Sequence, residues 1–238
     1  MSRRAIVELR QYALKIGHAG EYIQRTREAA GLRKSLFPMR LYTIPETGGQ
    51  LNVANHMYMY KDGLEGRDGA RARAAVNEDW LEYLKAVRPF METQQSNIFV
   101  EAPLVSDFQL QGLSPETVEV STEAETPGKC IYEFRNYQLK LGYDTVPAFL
   151  DHYEEGLGSK LASTDPTTTL VSLLYSEIGG LNKVIEIWRH GNGVSAMENS
   201  RNGAREAAEW RTAIGSIADL AVSFESTVHK PVDFSSYQ

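Results

Sequence analysis

The sequence contains a single cysteine, Cys130, and this scarcity excludes several classes of protein. One thiol forms no intrachain disulfide and cannot build a multi-cysteine metal site, so disulfide scaffolds and zinc ribbons are ruled out. No window approaches the run of roughly 20 apolar residues that a membrane-spanning helix needs. Residues 1–12, MSRRAIVELRQY, pass directly into alternating charged sequence, unlike a secretory signal. These features predict a cytoplasmic protein without membrane insertion.

Basic residues are also fewer than acidic residues. The 25 Lys and Arg residues are outnumbered by 31 Asp and Glu, for a net charge of −6, so we expect no nucleic-acid partner. No Gly-x-Ser-x-Gly, phosphate-loop or dinucleotide-binding glycine motif occurs. The five histidines are scattered without metal-ligand spacing, and we therefore predict no metal site.

What the sequence does contain is a repeat. Residues 6–17, IVELRQYALKIG, recur at 131–142 as IYEFRNYQLKLG. A second pair of segments shares a Gly-x-Leu-Asn element, at 49–52 and 179–182, and Trp80 and Trp210 then follow in the same register. Because these matches are collinear, they indicate an internal duplication.

The repeat predicts the domain organisation. The first copy is expected at 1–112 and the second at 129–238. Residues 113–128 between them are rich in Ser, Thr, Glu and Pro, a composition typical of a linker.

Each copy shows the pattern of a strand, a helix, two hairpin strands, a helix and a final strand. Apolar Val7 and Leu9 alternate with Glu8 and Arg10, as in a half-buried strand. This order is the ferredoxin-like arrangement, in which helices cover only one face of the sheet. We therefore predict an α+β fold in which two ferredoxin-like repeats pack sheet to sheet as an intramolecular dimeric α/β barrel.

These elements resemble the NIPSNAP domain, once per copy. The motif is Ile-x-Glu-x-Arg-x-Tyr-x-Leu-Lys-x-Gly, followed by Gly-x-Leu-Asn and then by Arg and Trp. The resemblance implies the dimeric α/β barrel, a group that includes cofactor-free monooxygenases, haem-degrading enzymes, lyases and domains with no known chemistry. The matching residues are Arg10, Tyr12, Asn52, His56 and Tyr58 in the first copy, and Arg135, Tyr137, Asn182, Val184 and Trp188 in the second.

Polar residues that share a strand face suggest a site. Glu8, Arg10 and Tyr12 lie on one side of the first strand, and His56 and Tyr58 lie on one side of the third. If both sides are the face without helices, these groups line the barrel cavity. The motif histidine is present in one copy only, because Glu186 replaces it in the other.

The sequence therefore favours binding of a small apolar or aromatic molecule in the barrel cavity, with a cofactor-independent reaction as a further hypothesis. In that reaction His56 moves a proton, Arg10 stabilises an oxyanion and Tyr12 or Tyr58 orients the substrate. The predicted catalytic residues are His56, Arg10 and Tyr12. The predicted substrate-binding residues are Tyr58, Glu8, Asn52, Arg135, Tyr137, Glu186 and Trp188.

Three alternatives stay open at this point. The Glu-x-Arg pair is duplicated, and a duplicated pair is typical of ion pairs that hold strands in register. The protein could then be a noncatalytic scaffold or interaction protein. Alternatively, His56 could be the axial ligand of a haem cofactor. A homo-oligomer is also predicted, because edge strands tend to be covered.

Overall fold

Two four-stranded antiparallel sheets form the frame of the molecule. The computed structural model describes residues 4–114 and 125–237, so the central part of the predicted linker lies outside the described residues. The elements of the first copy are β1 (Ile6–Leu14), α1 (Ala19–Glu28), α2 (Ala30–Leu36), β2 (Met39–Thr47), β3 (Val53–Tyr60), α3 (Gly63–Ala75), α4 (Glu78–Val87), β4 (Met91–Glu101) and α5 (Leu104–Asp107). Those of the second are β5 (Ile131–Leu139), α6 (Thr145–Ala162), β6 (Thr168–Ile178), β7 (Lys183–His190), α7 (Val194–Glu206), α8 (Ala208–Leu220) and β8 (Ala221–Pro231).

The two sheets close on each other as one barrel. The strand order is β1-β3-β2-β8-β5-β7-β6-β4, and the last strand pairs with the first. Both seams between the copies are antiparallel: β2 pairs with β8, and β4 pairs with β6. The predicted intramolecular dimeric α/β barrel is therefore confirmed.

The predicted second helix of each copy is in fact two helices. In the first copy α3 ends at Ala75 and α4 begins at Glu78. The side chain of Asn77 accepts a hydrogen bond from the backbone N–H of Trp80 at 2.8 Å, which caps the new helix. This cap directs Trp80 into the core beneath the helices, where it is 6% exposed.

Apolar side chains fill three regions. One lies inside the barrel, between the two sheets. The other two lie on the outer side of each sheet, beneath its helices. We call the space between β1–β4 and helices α1–α4 the first layer, and the space between β5–β8 and helices α6–α8 the second layer. The barrel interior is filled by Val7, Leu9, Leu41, Met57, Met59, Phe99, Leu113, Tyr132, Phe134, Val171, Leu174, Ile185, Ile187 and Tyr237.

The segment that follows the last strand of each copy packs against the other copy. Residue Ala102, after β4, donates its backbone N–H to Leu173 of β6 at 2.8 Å. Val232, after β8, donates in the same way to Tyr42 of β2 at 3.1 Å. Each layer is thus covered partly by the partner copy. None of the described helices is long and apolar enough to cross a membrane.

We expect neither half to fold as a monomer. A chain of residues 1–112 or 126–238 exposes the apolar inner face of its sheet and leaves two strands without their partners across the seams. Light scattering after size exclusion should therefore show self-association or aggregation of each half. A stable, monodisperse monomer of either half would contradict the shared barrel.

Candidate functional site

The predicted site residues of the first copy, apart from Asn52, lie together, but not in the barrel cavity. Leu9, Gln11 and Ala13 line the cavity inside the barrel. Glu8, Arg10 and Tyr12 alternate with them and point to the opposite side of β1, into the first layer. The expectation that these groups face the cavity is therefore wrong. The helices cover the polar face of this strand because its charges are neutralised by partners within the layer.

Glu8 is the centre of an ion-pair cluster in the first layer. Its side chain is fully buried and contacts three guanidinium groups: Arg71 at 2.7 Å, Arg67 at 3.1 Å and Arg10 at 3.4 Å. Ser96 of β4 donates a further hydrogen bond at 2.7 Å. Burial raises the pKa of Glu8, but Arg71, Ser96 and Arg10 outweigh burial and lower the pKa to about 2.

The same cluster recurs in the second layer. Glu133 accepts from Arg201 at 2.8 Å and from Ser226 at 2.7 Å, and Arg135 lies 3.7 Å away. This duplication agrees with an architectural role for both Glu-x-Arg pairs. Arg10, a predicted catalytic residue, is thereby placed beside a carboxylate that already neutralises it.

A second polar chain in the first layer contains His56. The Nδ1 atom of His56 lies 2.8 Å from the hydroxyl of Tyr58. That hydroxyl accepts a hydrogen bond from Nη1 of Arg33 at 2.6 Å, and Nη2 of Arg33 donates to Tyr83 at 2.7 Å. Tyr42 stacks on the imidazole with ring centroids 5.0 Å apart. The hydrogen-bonded chain links two helices, α2 and α4, to strand β3.

Arg33 is a buried cation without a carboxylate partner. It is 2% exposed, and no described residue forms an ion pair with it. Burial lowers its pKa, but the phenols of Tyr58, Tyr83 and Tyr42 outweigh burial and hold the pKa well above the ordinary value, so the charge persists. The guanidinium lies 5.0 Å from the Trp80 ring, a cation–π contact that offsets about 2 kcal/mol of the desolvation cost.

His56 is neutral and has an unused nitrogen. Burial lowers its pKa well below the ordinary value, and the nearby cations Arg33, Arg10 and Arg71 lower it further. Since Arg33 donates to the Tyr58 oxygen, the hydroxyl hydrogen of Tyr58 is available for Nδ1 of His56, which places the ring hydrogen on Nε2. That buried Nε2, like Nε of Arg33, has no hydrogen-bond partner among the described residues.

The second layer places a carboxylate where the first has His56. Glu186 accepts from Tyr137 at 2.7 Å and from the indole N–H of Trp188, and it lies 3.6 Å from Arg135. The four predicted second-copy residues are thus brought together by the fold. Lys160, 4% exposed, lies over the rings of Trp188 and Trp210.

Lys160 and Arg33 are equivalent cations of the two layers. Each lies over the duplicated tryptophan of its copy, Trp210 or Trp80. Burial and Arg135 lower the pKa of Lys160 to about 8, whereas Glu186 raises it. The layers therefore differ in electrostatics: Glu186, which is paired with Arg135, raises the pKa of Lys160, whereas no described carboxylate does this for Arg33.

Asn52 has a different setting from the other predicted residues. It lies in the hairpin between β2 and β3 with φ of 55°, and its duplicate Asn182 has φ of 54°. Asparagine tolerates this left-handed conformation better than most residues. The carbonyl of Asn52 accepts from the N–H of Leu14 at 2.8 Å, which ties the hairpin to β1.

The residues around His56 do not fit a haem. The imidazole is fully buried, with Tyr42 stacked on its face and Tyr12 edge-on at 4.6 Å between centroids. A porphyrin plane would have to occupy volume that these rings fill. Among the residues that the structure describes, no three His, Cys, Asp or Glu side chains are grouped to hold a metal ion.

Comparison with known proteins gives concordant results in sequence and in structure. A family model described as NIPSNAP matches residues 7–105 and 132–236. The protein NipSnap homolog 3A of Pongo abelii is 24% identical over 233 residues, which cover 96% of this chain and 84% of that protein. The protein NipSnap homolog 3B of Mus musculus is 25% identical over 194 residues, with 79% and 68% covered.

Solved structures share the whole fold at low identity. A putative monooxygenase from Fusobacterium nucleatum superposes with a TM-score of 0.66 at 10% identity, covering 98% of this chain and 94% of its own. An anthrone oxidase-like protein gives a TM-score of 0.59 at 12% identity, covering 96% and 92%. At these identities the similarity establishes the fold.

We expect Glu8→Gln to remove part of the acid sensitivity of the protein. The carboxylate stabilises the fold at pH values above its unfolded pKa of about 4.5, and this contribution is lost as the pH falls toward about 2. The substitution should cost roughly 3–5 kcal/mol at pH 7, because it leaves buried guanidinium groups unpaired.

Urea unfolding between pH 7 and pH 2.5 measures both effects. Glu92→Gln, at an exposed position of β4, is the matched control and should leave the curve of free energy against pH unchanged. Parallel curves for Glu8→Gln and the unmodified protein would contradict the assignment.

Proposed function

This chain belongs to the NIPSNAP family, and we propose that its first layer binds a small apolar or aromatic molecule that carries an anionic or enolisable oxygen. One observation carries the proposal. Arg33 is buried without a carboxylate beside a histidine whose Nε2 is unused, whereas the second layer has Glu186 at the position of that histidine.

Charge is the first argument. An unpaired buried cation costs several kcal/mol unless a negative group accompanies it. Phenol hydrogen bonds and the ring of Trp80 stabilise the protonated form of Arg33, but they supply no negative charge. A ligand oxyanion supplies it. Glu8 is not available for this purpose, since Arg71, Arg67 and Arg10 share it.

The donors define the roles of the residues. The neutral imidazole of His56 offers Nε2–H to the ligand oxygen, and the field of Arg33 stabilises negative charge that develops there. Because burial, and then three nearby cations, disfavour a protonated imidazole, His56 acts as a neutral donor rather than as a base. Arg33 takes the stabilising role that the sequence suggested for Arg10.

Aromatic rings define the class of ligand. Tyr12, Tyr42 and Phe37 fill the space around the polar chain, so a small ligand that displaces Tyr42 meets the apolar faces of Tyr12 and Phe37. The same barrel occurs in proteins described as a putative monooxygenase and as anthrone oxidase-like, which agrees with a reaction on an aromatic molecule. A cofactor-independent reaction through an enolate or phenolate suits this set of donors.

Entry to the layer requires the C-terminal segment 232–237 to move. Phe234 packs edge-on against Tyr42 at 5.1 Å, and Ser235 accepts a hydrogen bond from the backbone N–H of Tyr42 at 3.0 Å. Release of this segment removes the contacts of Phe234 and Ser235 with Tyr42, the ring that covers the face of His56 and also donates to the hydroxyl of Tyr22 at 3.2 Å. The segment is held by an exposed ion pair between Arg27 and Asp233, which costs little to break, and by Tyr237, which is buried in the barrel interior.

A second candidate is a noncatalytic barrel that serves as a scaffold. The complete burial of His56 favours it, because a side chain with no exposed surface is also what a purely structural network requires. The two candidates differ in whether the first layer takes up a small anion.

We expect 2-naphthoate to bind the purified full chain more tightly than its neutral analogue 2-naphthamide. Trp80 lies beside Arg33, so quenching of tryptophan fluorescence reports binding. Arg33→Met and His56→Phe should each weaken naphthoate binding by about tenfold to a hundredfold, the equivalent of one charge-assisted hydrogen bond.

Lys160→Met is the matched control, since it removes the equivalent cation of the second layer and should leave naphthoate affinity unchanged. Thermal melts verify that each variant is folded. Native mass spectrometry of the unmodified protein, followed by solvent extraction, identifies any acid that copurifies. Equal affinity for acid and amide, with no copurified molecule, would overturn the proposal in favour of the scaffold.

A further inference from the structure

One end of the barrel interior is filled with side chains and the other end is not. At the end where β1 and β5 begin, apolar side chains such as Val7, Met59 and Tyr132 close the interior. At the end where these strands finish, a cavity of about 430 Å³ remains. An eight-stranded barrel is just wide enough to be filled by side chains or to hold one small ligand. Side chains could therefore fill the open end, but in this protein they do not.

Small side chains keep this end open. Ala13, Thr93 and Ser223 line the cavity near its mouth, at positions that point inward between larger neighbours. Thr93 and Ser223 occupy corresponding positions of β4 and β8, so the opening is formed in both copies. Larger apolar residues at these positions would complete the core.

Amide side chains form the walls of the cavity. Gln11 donates to Asn55 at 2.8 Å, and this pair keeps a defined orientation. The side chains of exposed Gln95 and half-buried Asn136 line the cavity and make no hydrogen bond to any described residue, so their donors and acceptors are available to a ligand. Each amide presents a donor beside an acceptor, the arrangement that pairs with the edge of a nucleobase.

The floor of the cavity is apolar and aromatic. Leu9, Phe99, Phe134 and Ile185 lie beneath the amides. Phe134 is held in place by His229, whose ring stacks on it at 4.3 Å between centroids. A flat ring matches this floor because it buries its faces against apolar side chains while its edge reaches the amides.

The lining has no excess of charge. Of the side chains that line this end of the described barrel, Lys183 is cationic and Glu225 is anionic. Burial lowers the pKa of His229 to about 4, so this residue is neutral at pH 7. One cation and one anion give the lining no net charge that selects a charged ligand, in contrast to the first layer.

We propose that this cavity is a second ligand site, for a neutral planar heterocycle of the purine or pyrimidine class, as the free base or the nucleoside. The site is separate from the first layer, because the sheet of β1–β4 lies between them. Adjacent residues of one strand, such as Arg10 and Gln11, face the two sites in turn.

Saturation-transfer NMR on the full chain tests the proposal with adenine, adenosine, uracil and uridine as probes. We expect at least one of them to bind with a Kd below about 1 mM. Comparison of each base with its nucleoside shows whether the cavity also takes the sugar. Binding of toluene without any heterocycle, or the absence of binding by all four probes, would overturn the proposal.

Two variants locate the binding. Gln95→Leu removes a wall amide and should weaken binding at least tenfold, whereas Gln94→Leu, the neighbouring outward position of the same strand, should not change it. Ala13→Trp fills the cavity and should abolish binding. If Ala13→Trp fails to fold, the comparison of Gln95→Leu with Gln94→Leu tests the location without it. Equal heterocycle affinities of these two variants would overturn the assignment. His56→Phe should leave heterocycle binding unchanged.

Discussion

Each four-stranded sheet of this protein carries helices on one face only, and the rest of the structure depends on how its other face is covered. Burial of apolar surface contributes roughly 25 cal/mol per Å² to folding. A four-stranded sheet whose apolar inner face stays in water therefore lacks a large part of the free energy that would stabilise it. The second copy covers it and, at the seams β2–β8 and β4–β6, also pairs the edge strands. One arrangement thereby removes both the exposed face and the open edges.

The same constraint determines where polar chemistry can occur. Inside the barrel, residues from both copies share one space, and that space is closed at one end by apolar side chains. Outside it, each layer lies beneath the helices of one copy and is closed by the segment that follows the last strand of the other. Glu8 and Glu133 are equivalent centres of ion pairs in these layers. His56 and Glu186 occupy equivalent positions but leave the neighbouring cations in different electrostatic states.

Sequence patterns predicted the fold because the duplication and the strand periodicity carry that information directly. They also predicted that Tyr12, His56 and Tyr58 lie together, since residues two apart on a strand share a face. They did not predict which face. Alternation distinguishes two sides of β1, yet both sides are buried here, and the polar side is the one under the helices. The domain boundaries, the cytoplasmic location and the homo-oligomer stay predictions.

Arg33 could not be recognised from periodicity, because it lies among exposed cationic neighbours such as Lys34 on a short helix. The one feature that points to Arg33 is indirect: a cation lies over the duplicated tryptophan in both copies, Arg33 over Trp80 and Lys160 over Trp210. Charge compensation of a buried side chain depends on contacts between distant segments. Tyr58 and Tyr83, its phenol partners, belong to a strand and a helix that the sequence does not connect to α2.

The exchanged segments after β4 and β8 have a consequence for how such a protein can change. In an assembly of two identical single-copy chains, every substitution appears twice and must suit both layers at once. Here Ala102 and Val232 each donate a backbone hydrogen bond to the other copy. Because both copies belong to one polypeptide, the two halves cannot separate and recombine with other chains. A substitution such as glutamate for histidine then alters one layer alone. Covalent fusion converts a symmetric pair into two independently adjustable halves that still share one barrel.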